Sequence, residues 1–572
     1  MPVSVKSYRL WIAVAALVGV STLLAWLILR DPVALRTDLR GVVPLMLELT
    51  VALLVAGFVM NRRGIRESLP GRARVPLGLF FVALLLVSVL PPRTHRIYYD
   101  EDIYQNIGQN ILWFGHAQMC NEGTIQSGAF DCRAWEYNKE PNGLPFLLSL
   151  AYRFTGVDEV ASHRLNHLIF ALGVVALYWT AGLLFERQSV AIAAAVVYML
   201  TPESLLWSGT IAAEPAAATF GILGVGAWIY FCRRPSSSAA LLGAAALAFG
   251  SQFRPESGLI FLIAIVSTVL LAPRMFFRRE TIGAAVLSFI LLIAHFGHMW
   301  SVRNENWGSQ DAKFAASYVE GNLDTNLRYY VEGRELPILF TLFAVLGLFY
   351  PGRKRESLIA LSWFAAFFAI FIPFYAGSYR YGADIRFSLV SAAPFALAAG
   401  AGIGWIGASF RRWSDSRWLQ AMPLFVAIYA ASRFLPLVTS VGREAWQARD
   451  DHEAVRRMVE ELPEDAVLLT HNPGMVHVMG RSASQTSIVT YQPETADSYF
   501  DRFPGGVFFQ YGFWCNVVDP VQNEMCTAVL ARYPTRVILE QRSGFFRYNL
   551  YRLLPRSEAD PTTASERDLT TP

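Results

Sequence analysis

Three acids in a row, Asp100-Glu101-Asp102, stand between Tyr98-Tyr99 and Ile103-Tyr104, just past an apolar segment and at the start of the longest early polar loop. Acids beside membrane-type sequence are costly unless they bind a cation or accept protons from a substrate. Ile103, Tyr104, Ile107, Ile111 and Leu112 follow at helical spacing, which predicts an amphipathic helix along a membrane surface. Asp100 and Glu101 would open that helix, where its dipole favours anions, so plain capping competes with chemistry as their role. Lys139, in Lys139-Glu140-Pro141-Asn142-Gly143, precedes a proline-broken entry into apolar sequence. A lysine there can pair with a phosphate or snorkel to a headgroup. Glu214, in Ala213-Glu214-Pro215, sits at the mouth of an apolar segment. An acid at membrane depth costs about 2–3 kcal/mol, so it should face a wet cavity or a cation, or else serve the first turn of a helix. Arg254, Arg303, Arg380 and Arg386 lie at the mouths of different apolar segments. Several cations gathered in this way suggest an anion site.

The elements that must hold these groups are membrane helices. The 572-residue chain is 54% hydrophobic and 16% charged, against roughly 25% charged in a soluble domain. Its net charge of +4 gives no sign of a nucleic-acid partner. Apolar runs from residue 10 to residue 438 predict about 13 spans, at 10–29, 42–60, 77–90, 165–185, 190–206, 215–231, 239–250, 258–271, 282–299, 337–350, 358–374, 387–406 and 422–438. The first, long and without a cleavage pattern, reads as an uncleaved signal anchor. Arginines cluster in alternate loops (62–74, 233–234, 274–279, 353–355, 411–417), which makes those loops cytoplasmic. The N-terminus is then inside, and the acidic loop 92–164 and everything beyond about residue 440 are outside. Glu48 and Arg433 lie within spans and read as buried polar contacts. His295 and His298, three apart on one helix, form no metal-ligand signature, and no metal site is expected.

Cysteine placement agrees with this topology. Cys120 with Cys132 and Cys515 with Cys526 form two local outer pairs, and Cys232 stands alone inside, which predicts two disulfides in an oxidising exterior. Residues 441–555 alternate strand signals (466–470, 505–509, 535–539) with helical ones near 495–503 and 520–533, the pattern of a small α/β domain. The polar tail 556–572 reads as disordered. The expected organisation is therefore an all-α polytopic membrane domain over 1–440 with outer loop 92–164, an extracytoplasmic α/β domain over 441–555, and a tail.

Taken in order, Asp100-Glu101 with Tyr104, Lys139-Glu140-Pro141, Thr201-Pro202, Glu214-Pro215, Arg254-Pro255-Glu256, Trp300-Ser301-Val302-Arg303-Asn304 with Gly308, and Arg386-Phe387 before Pro394 resemble the membrane glycosyltransferases of the GT-C superfamily, in the protein O-mannosyltransferase and aminoarabinose transferase branch. Two departures stand out: the Asp-Glu loop follows the third span rather than the first, and the family's Lys-Pro-Pro reads Lys139-Glu140-Pro141. The resemblance implies a GT-C fold and an inverting hexosyl- or pentosyltransferase that moves a sugar from a polyprenyl phosphate to an acceptor hydroxyl of a lipid, glycan or protein. The expected place is the outer face of a bacterial inner membrane. It implies Asp100 as general base with Glu101 and Glu214 beside it, and Lys139, Arg254, Arg303, Arg380 and Arg386 on the donor phosphate. No cofactor is required, though the acid cluster leaves room for a divalent cation. A secondary transporter using the same acids as an ion or proton site is the competing class, but the chain lacks the duplicated halves such proteins carry. A non-catalytic assembly protein is the third.

Overall fold

The computed structural model describes residues 25–305, 312–380, 384–441, 446–516 and 520–556, with 19, 21, 22 and 382 besides. The expected first span, Gly308 and the tail 557–572 lie wholly or largely outside these residues. Each of the other twelve expected spans falls on a helix or a helix pair. Among the described residues, five helices are long and apolar enough to cross a membrane, and a sixth span arises if the bent pair Gln188–Leu200 and Pro202–Ser208 counts as one. The protein is a multi-pass membrane protein.

Small residues let the central helices touch. Helix Leu389–Phe410 packs on Ile338–Leu348 and Gln188–Leu200. A Cβ at Gly347 would stand 1.8 Å from the Ala398 carbonyl, and one at Gly402 would stand 2.0 Å from that of Phe343. In lipid, helices associate by such close packing rather than by apolar burial. Arg233 pairs with both Glu186 and Glu356, Arg353 pairs with the same two acids, and Arg234 pairs with Glu67. These loops are alternate ones in the sequence, so they share one end of the bundle. The acidic helix and the C-terminal domain occupy the other end. Two polar residues inside expected spans are not buried: Glu48 is half exposed and paired with Arg153, and Arg433 is exposed. Both lie where a helix side faces outward rather than into the bundle.

The C-terminal domain is built on a seven-stranded sheet in the order β2-β1-β4-β3-β5-β7-β6. β3 (Val467–Thr470), β5 (Val507–Tyr511) and β6 (Thr535–Ser543) are the strands the sequence announces. β4 (Ser482–Gln485) and β7 (Phe546–Leu553) complete the C-terminal part. β1 (Gln118–Gln126) and β2 (Ala129–Tyr137) come from the loop 92–164, and β1 pairs antiparallel with β4 through Glu122 opposite Ser484. The sheet thus takes strands from both sides of residue 440. The β1–β2 turn is Ser127-Gly128, both with positive φ (50° and 76°), as a two-residue hairpin turn requires. The Cys120–Cys132 disulfide crosses this hairpin, Cys515–Cys526 closes the second expected loop, and Cys232 is free and buried.

Helix Asp100–Phe114 differs from the interfacial expectation. Every residue from Glu101 to Ile111 is buried. Its polar side, Gln105, Asn106, Gln109 and Asn110, meets β1 and the helix Pro473–Val478: Asn106 Oδ1 accepts from the Cys120 amide at 3.0 Å, and Gln109 Nε2 donates to the His477 carbonyl at 3.1 Å. The C-terminal domain covers the face that periodicity alone assigns to water. Replacing Cys120 and Cys132 by serine releases a loop of 12 residues and should cost about 3 kcal/mol. Limited proteolysis of the variant should then cut first at the Ser127-Gly128 turn, and an unchanged digestion pattern would contradict the hairpin's role.

Candidate active site

The site begins with a backbone constraint. Tyr99 has φ +78°, a conformation L-residues rarely adopt, immediately before Asp100 opens its helix. Such geometry costs about 1–3 kcal/mol and persists only where the surroundings hold it. The Tyr99 hydroxyl donates to the His471 carbonyl at 3.1 Å, tying the turn to the C-terminal domain.

Glu101 holds the next element. Its Oε1 accepts from the Arg96 and Ile97 amides at 2.7 and 3.0 Å, and its Oε2 accepts from the Ile211 amide at 2.8 Å. Ile211 lies in the non-helical stretch before Glu214, whose carbonyls also receive Asn166 Nδ2 (Thr210 at 2.7 Å, Ala212 at 3.1 Å) and face His163 Nδ1 (Gly209 at 3.0 Å). Irregular backbone at a helix mouth needs such partners, because lipid offers none. Glu101 is fully buried and committed to three amides, so it builds the scaffold on which Glu214 stands.

From Glu214 a chain of alternating charges runs through the site. Glu214 Oε1 meets Arg386 Nε at 2.8 Å and Arg254 Nη1 at 3.1 Å. Arg386 Nη2 lies 3.7 Å from Asp100 Oδ2, and Arg254 Nε lies 3.2 Å from Glu256 Oε1. The Phe387 ring sits against both guanidiniums, 4.6 Å from Arg386 and 5.4 Å from Arg254. Glu214 Oε2 is buried without a hydrogen-bond partner among the described residues. Asp100, Glu214, Arg254 and Arg386 are therefore one cluster. Burial holds the Asp100 carboxyl above its ordinary range; Arg386 opposes that shift and Glu214 adds to it.

The turn after β2 brings Lys139 and Glu140 to the same place. His298 Nε2 donates to the Glu140 carbonyl at 2.9 Å while its Nδ1 accepts from the Tyr137 hydroxyl at 2.9 Å, so this histidine is a strut. The Gly143 amide donates to the Gln252 carbonyl at 2.8 Å, setting the turn beside Arg254. Glu140 stands where the family pattern has proline. Burial, then Asp100, lifts its pKa from the ordinary 4.5 to about 7, against the pull of Arg254 and Lys139.

Two cavities flank the cluster. One of about 290 Å³ has Arg254, Glu256, Arg303 and Lys313 at its polar end and Met299, Ile370, Phe371 and Phe374 on its apolar wall. The other, about 690 Å³, lies under the C-terminal domain and is lined by Tyr98, Tyr99, Lys139, His471, Tyr491 and Trp514 among others. Arg303 reaches the cluster only across the first cavity, its guanidinium stacked 4.0 Å over Trp300. Arg380 is exposed and, among the described residues, makes no ion pair with the cluster. Sequence reasoning missed Glu140, Lys313 and the tyrosines and tryptophan of the larger cavity. The proline-to-glutamate departure was the signal for Glu140; Lys313 and Trp514 carried none.

No protein-family model matches the sequence, and no curated protein matches it. Among solved structures, ArnT from Cupriavidus metallidurans in the apo state aligns with a TM-score of 0.51 at 14% identity, covering 83% of this chain and 97% of that one. The fold is the GT-C fold. The same ArnT bound to undecaprenyl phosphate aligns at 0.49 and 14% identity over 83% and 97% of the two chains. The Archaeoglobus fulgidus oligosaccharyltransferase in complex with Zn and sulfate aligns at 0.49 and 13% identity over 82% and 72%. At these identities the likeness is one of fold.

Within this GT-C fold Glu101 and Glu140 should behave in opposite ways. Glu101→Gln turns an NH2 donor toward an amide that needs an acceptor and should destabilise the protein by about 1–3 kcal/mol, read as a lower unfolding midpoint in detergent. An unchanged midpoint would contradict its scaffold role. Glu140 has a raised native pKa, so the folded chain keeps a proton that the unfolded chain releases. Wild-type stability should therefore fall as pH rises from 4.5 to about 7 and level off above. Glu140→Gln should remove that slope, whereas parallel pH curves for the two proteins would contradict the assignment.

Proposed function

We propose that the chain is a glycosyltransferase that moves a sugar from a polyprenyl-phosphate donor to an acceptor hydroxyl on the outer face of the membrane, with inversion at the anomeric carbon. The observation that carries this reading is the placement of one partly exposed carboxylate, Asp100, beside a cationic cluster that opens into a cavity with an apolar wall. A lipid-linked phosphate needs both a cationic end for its headgroup and an apolar path for its tail. Arg254, Arg303 and Lys313 supply the cationic end, with Lys139 on the far side of the cluster. The shared fold with ArnT, a protein solved with undecaprenyl phosphate bound, supports the same class of donor.

In this reading the acceptor enters through the larger cavity, where Tyr98, Tyr99, Tyr491 and Trp514 offer the aromatic surfaces sugars and lipids pack against. Asp100 takes the proton of the attacking hydroxyl as the new C–O bond forms. The bond from the anomeric carbon to the phosphate oxygen breaks on the opposite side, and the lipid phosphate leaves as a stable anion that needs no acid. Lys139, Arg254 and Arg303 offset the charge that develops on it. Burial raises Asp100 toward a useful base, while Arg386 opposes that shift and aims the carboxylate. Glu214, between its two arginines, positions Arg386 and Arg254 and through them both substrates; Glu101 acts through Glu214. Arg386 belongs to the positioning of Asp100 rather than to the phosphate, and Arg380 stays at the rim.

The reading carries Asp100, Glu140, Glu214 and Glu256 against Lys139, Arg254, Arg303, Lys313 and Arg386 in and around the cluster. Asp100→Asn should lower transfer of labelled sugar from a polyprenyl phosphate by about 10²–10⁴-fold while leaving donor binding and the unfolding midpoint unchanged. Wild-type rates in that variant would remove Asp100 from the reaction.

A further inference from the structure

The end of the bundle away from the charged cluster holds a recess that the proposed reaction does not use. Helix Leu389–Phe410 starts just past Arg386 and runs 22 residues, about 33 Å at 1.5 Å per residue, to that far end. There it meets the starts of helices Gln188–Leu200 and Arg417–Ser432. Small residues on the long helix, Gly404, Gly407 and Ala408, leave a cavity of about 310 Å³ between the three. Ligand pockets begin at roughly this size, about 300 Å³.

The lining is cationic at the helix ends and apolar within. Arg187 precedes Gln188–Leu200, Arg411 follows Leu389–Phe410, and Arg417 opens Arg417–Ser432, so three separate helix ends each bring one guanidinium. Ile192, Ile403 and Leu424 line the same recess one to two turns deeper along those helices. No acid lines it among the described residues. At this end of the bundle Arg233 and Arg353 are neutralised by Glu186 and Glu356. Among the described residues Arg187, Arg411 and Arg417 form no such ion pair, and neither does Asp415 in their loop. Arg187 instead lies 5.9 Å from the Tyr350 ring. The two helices that begin here have neither an acid in the first turn nor a capping side chain, so their amide ends add to the positive field.

The depth of the recess follows from its neighbours in sequence. Trp413 and Trp418 are 89% and 77% exposed, and exposed tryptophan collects at the headgroup level of a membrane. Scattered arginines at that level touch headgroups of every kind. Three of them around a recess with an apolar depth suit an anion that carries a chain, as basic pockets between membrane helices do.

We infer that this recess binds one anionic phospholipid of the leaflet opposite the C-terminal domain. Its phosphate sits on Arg187, Arg411 and Arg417, and the start of an acyl chain runs along Ile192, Ile403 and Leu424. The lipid braces helix Leu389–Phe410, whose opposite end adjoins Arg386.

The test uses the full chain purified in detergent, washed free of lipid, and titrated with phosphatidylglycerol, phosphatidylethanolamine or inorganic phosphate. Phosphatidylglycerol should raise the unfolding midpoint and stay bound as one equivalent in native mass spectrometry. At matched concentration the zwitterionic lipid and inorganic phosphate should do neither. Arg187→Gln, Arg411→Gln and Arg417→Gln combined should weaken phosphatidylglycerol binding by about 100-fold. Arg278→Gln, Arg279→Gln and Arg355→Gln combined remove the same charge from the same end, outside the recess, and should leave binding at the wild-type level. Ala408→Trp keeps every charge but fills the recess, and should lose the bound equivalent. Equal responses to the three probes, equal losses in the two triple variants, or a retained equivalent in Ala408→Trp would each overturn the inference.

Discussion

Glu214 between Arg254 and Arg386 is the interaction on which the rest of the structure depends. A carboxylate buried at a helix mouth is unfavourable by itself, and so is each guanidinium; together they stand only because each satisfies the others. The three residues lie at the mouths of three separate helical segments, so the pairing also fixes how those segments meet. Asp100 and Glu256 extend the chain at either end, toward the two cavities. Removing one member would leave a buried charge unpaired and unsettle the whole end of the bundle.

A second constraint is that the C-terminal domain is not merely appended. Its sheet takes two strands from the loop that carries Asp100, its helix Pro473–Val478 covers the polar side of the Asp100 helix, and its His471 carbonyl holds the strained Tyr99. The larger cavity exists because these two parts meet. The domain is thus part of the candidate site's wall, and changes at the interface should be felt at Asp100.

Much of this was legible in the residues. Twelve apolar helical segments, three strands of the C-terminal domain and both disulfides follow from apolar run length, β-branched clusters and local cysteine pairing, because each is a signal contained in a short window. Asp100, Lys139, Glu214, Arg254 and Arg386 were readable as a set because acids and arginines at helix mouths are expensive. What the sequence hid is long-range. β1 and β4 are polar strands (Gln118–Gln126, Ser482–Gln485) held by their neighbours β2 and β3 and joined to each other across residue 440, and only Ser127-Gly128 hinted at the hairpin. The roles of Glu101 and Arg386 depend on partners more than a hundred residues away.

The central claim is that the cationic cluster around Glu214 receives the phosphate of a lipid-linked sugar with Asp100 facing the anomeric carbon. Its most direct test is a cryo-electron microscopy structure of the full chain in a nanodisc supplied with undecaprenyl phosphate. The account predicts phosphate density in contact with Arg254 and within reach of Lys139 or Arg303, with the isoprenoid tail leaving along Met299, Phe371 and Phe374. Density for the phosphate elsewhere, with the Arg254 and Arg386 side chains unchanged around Glu214, would contradict it.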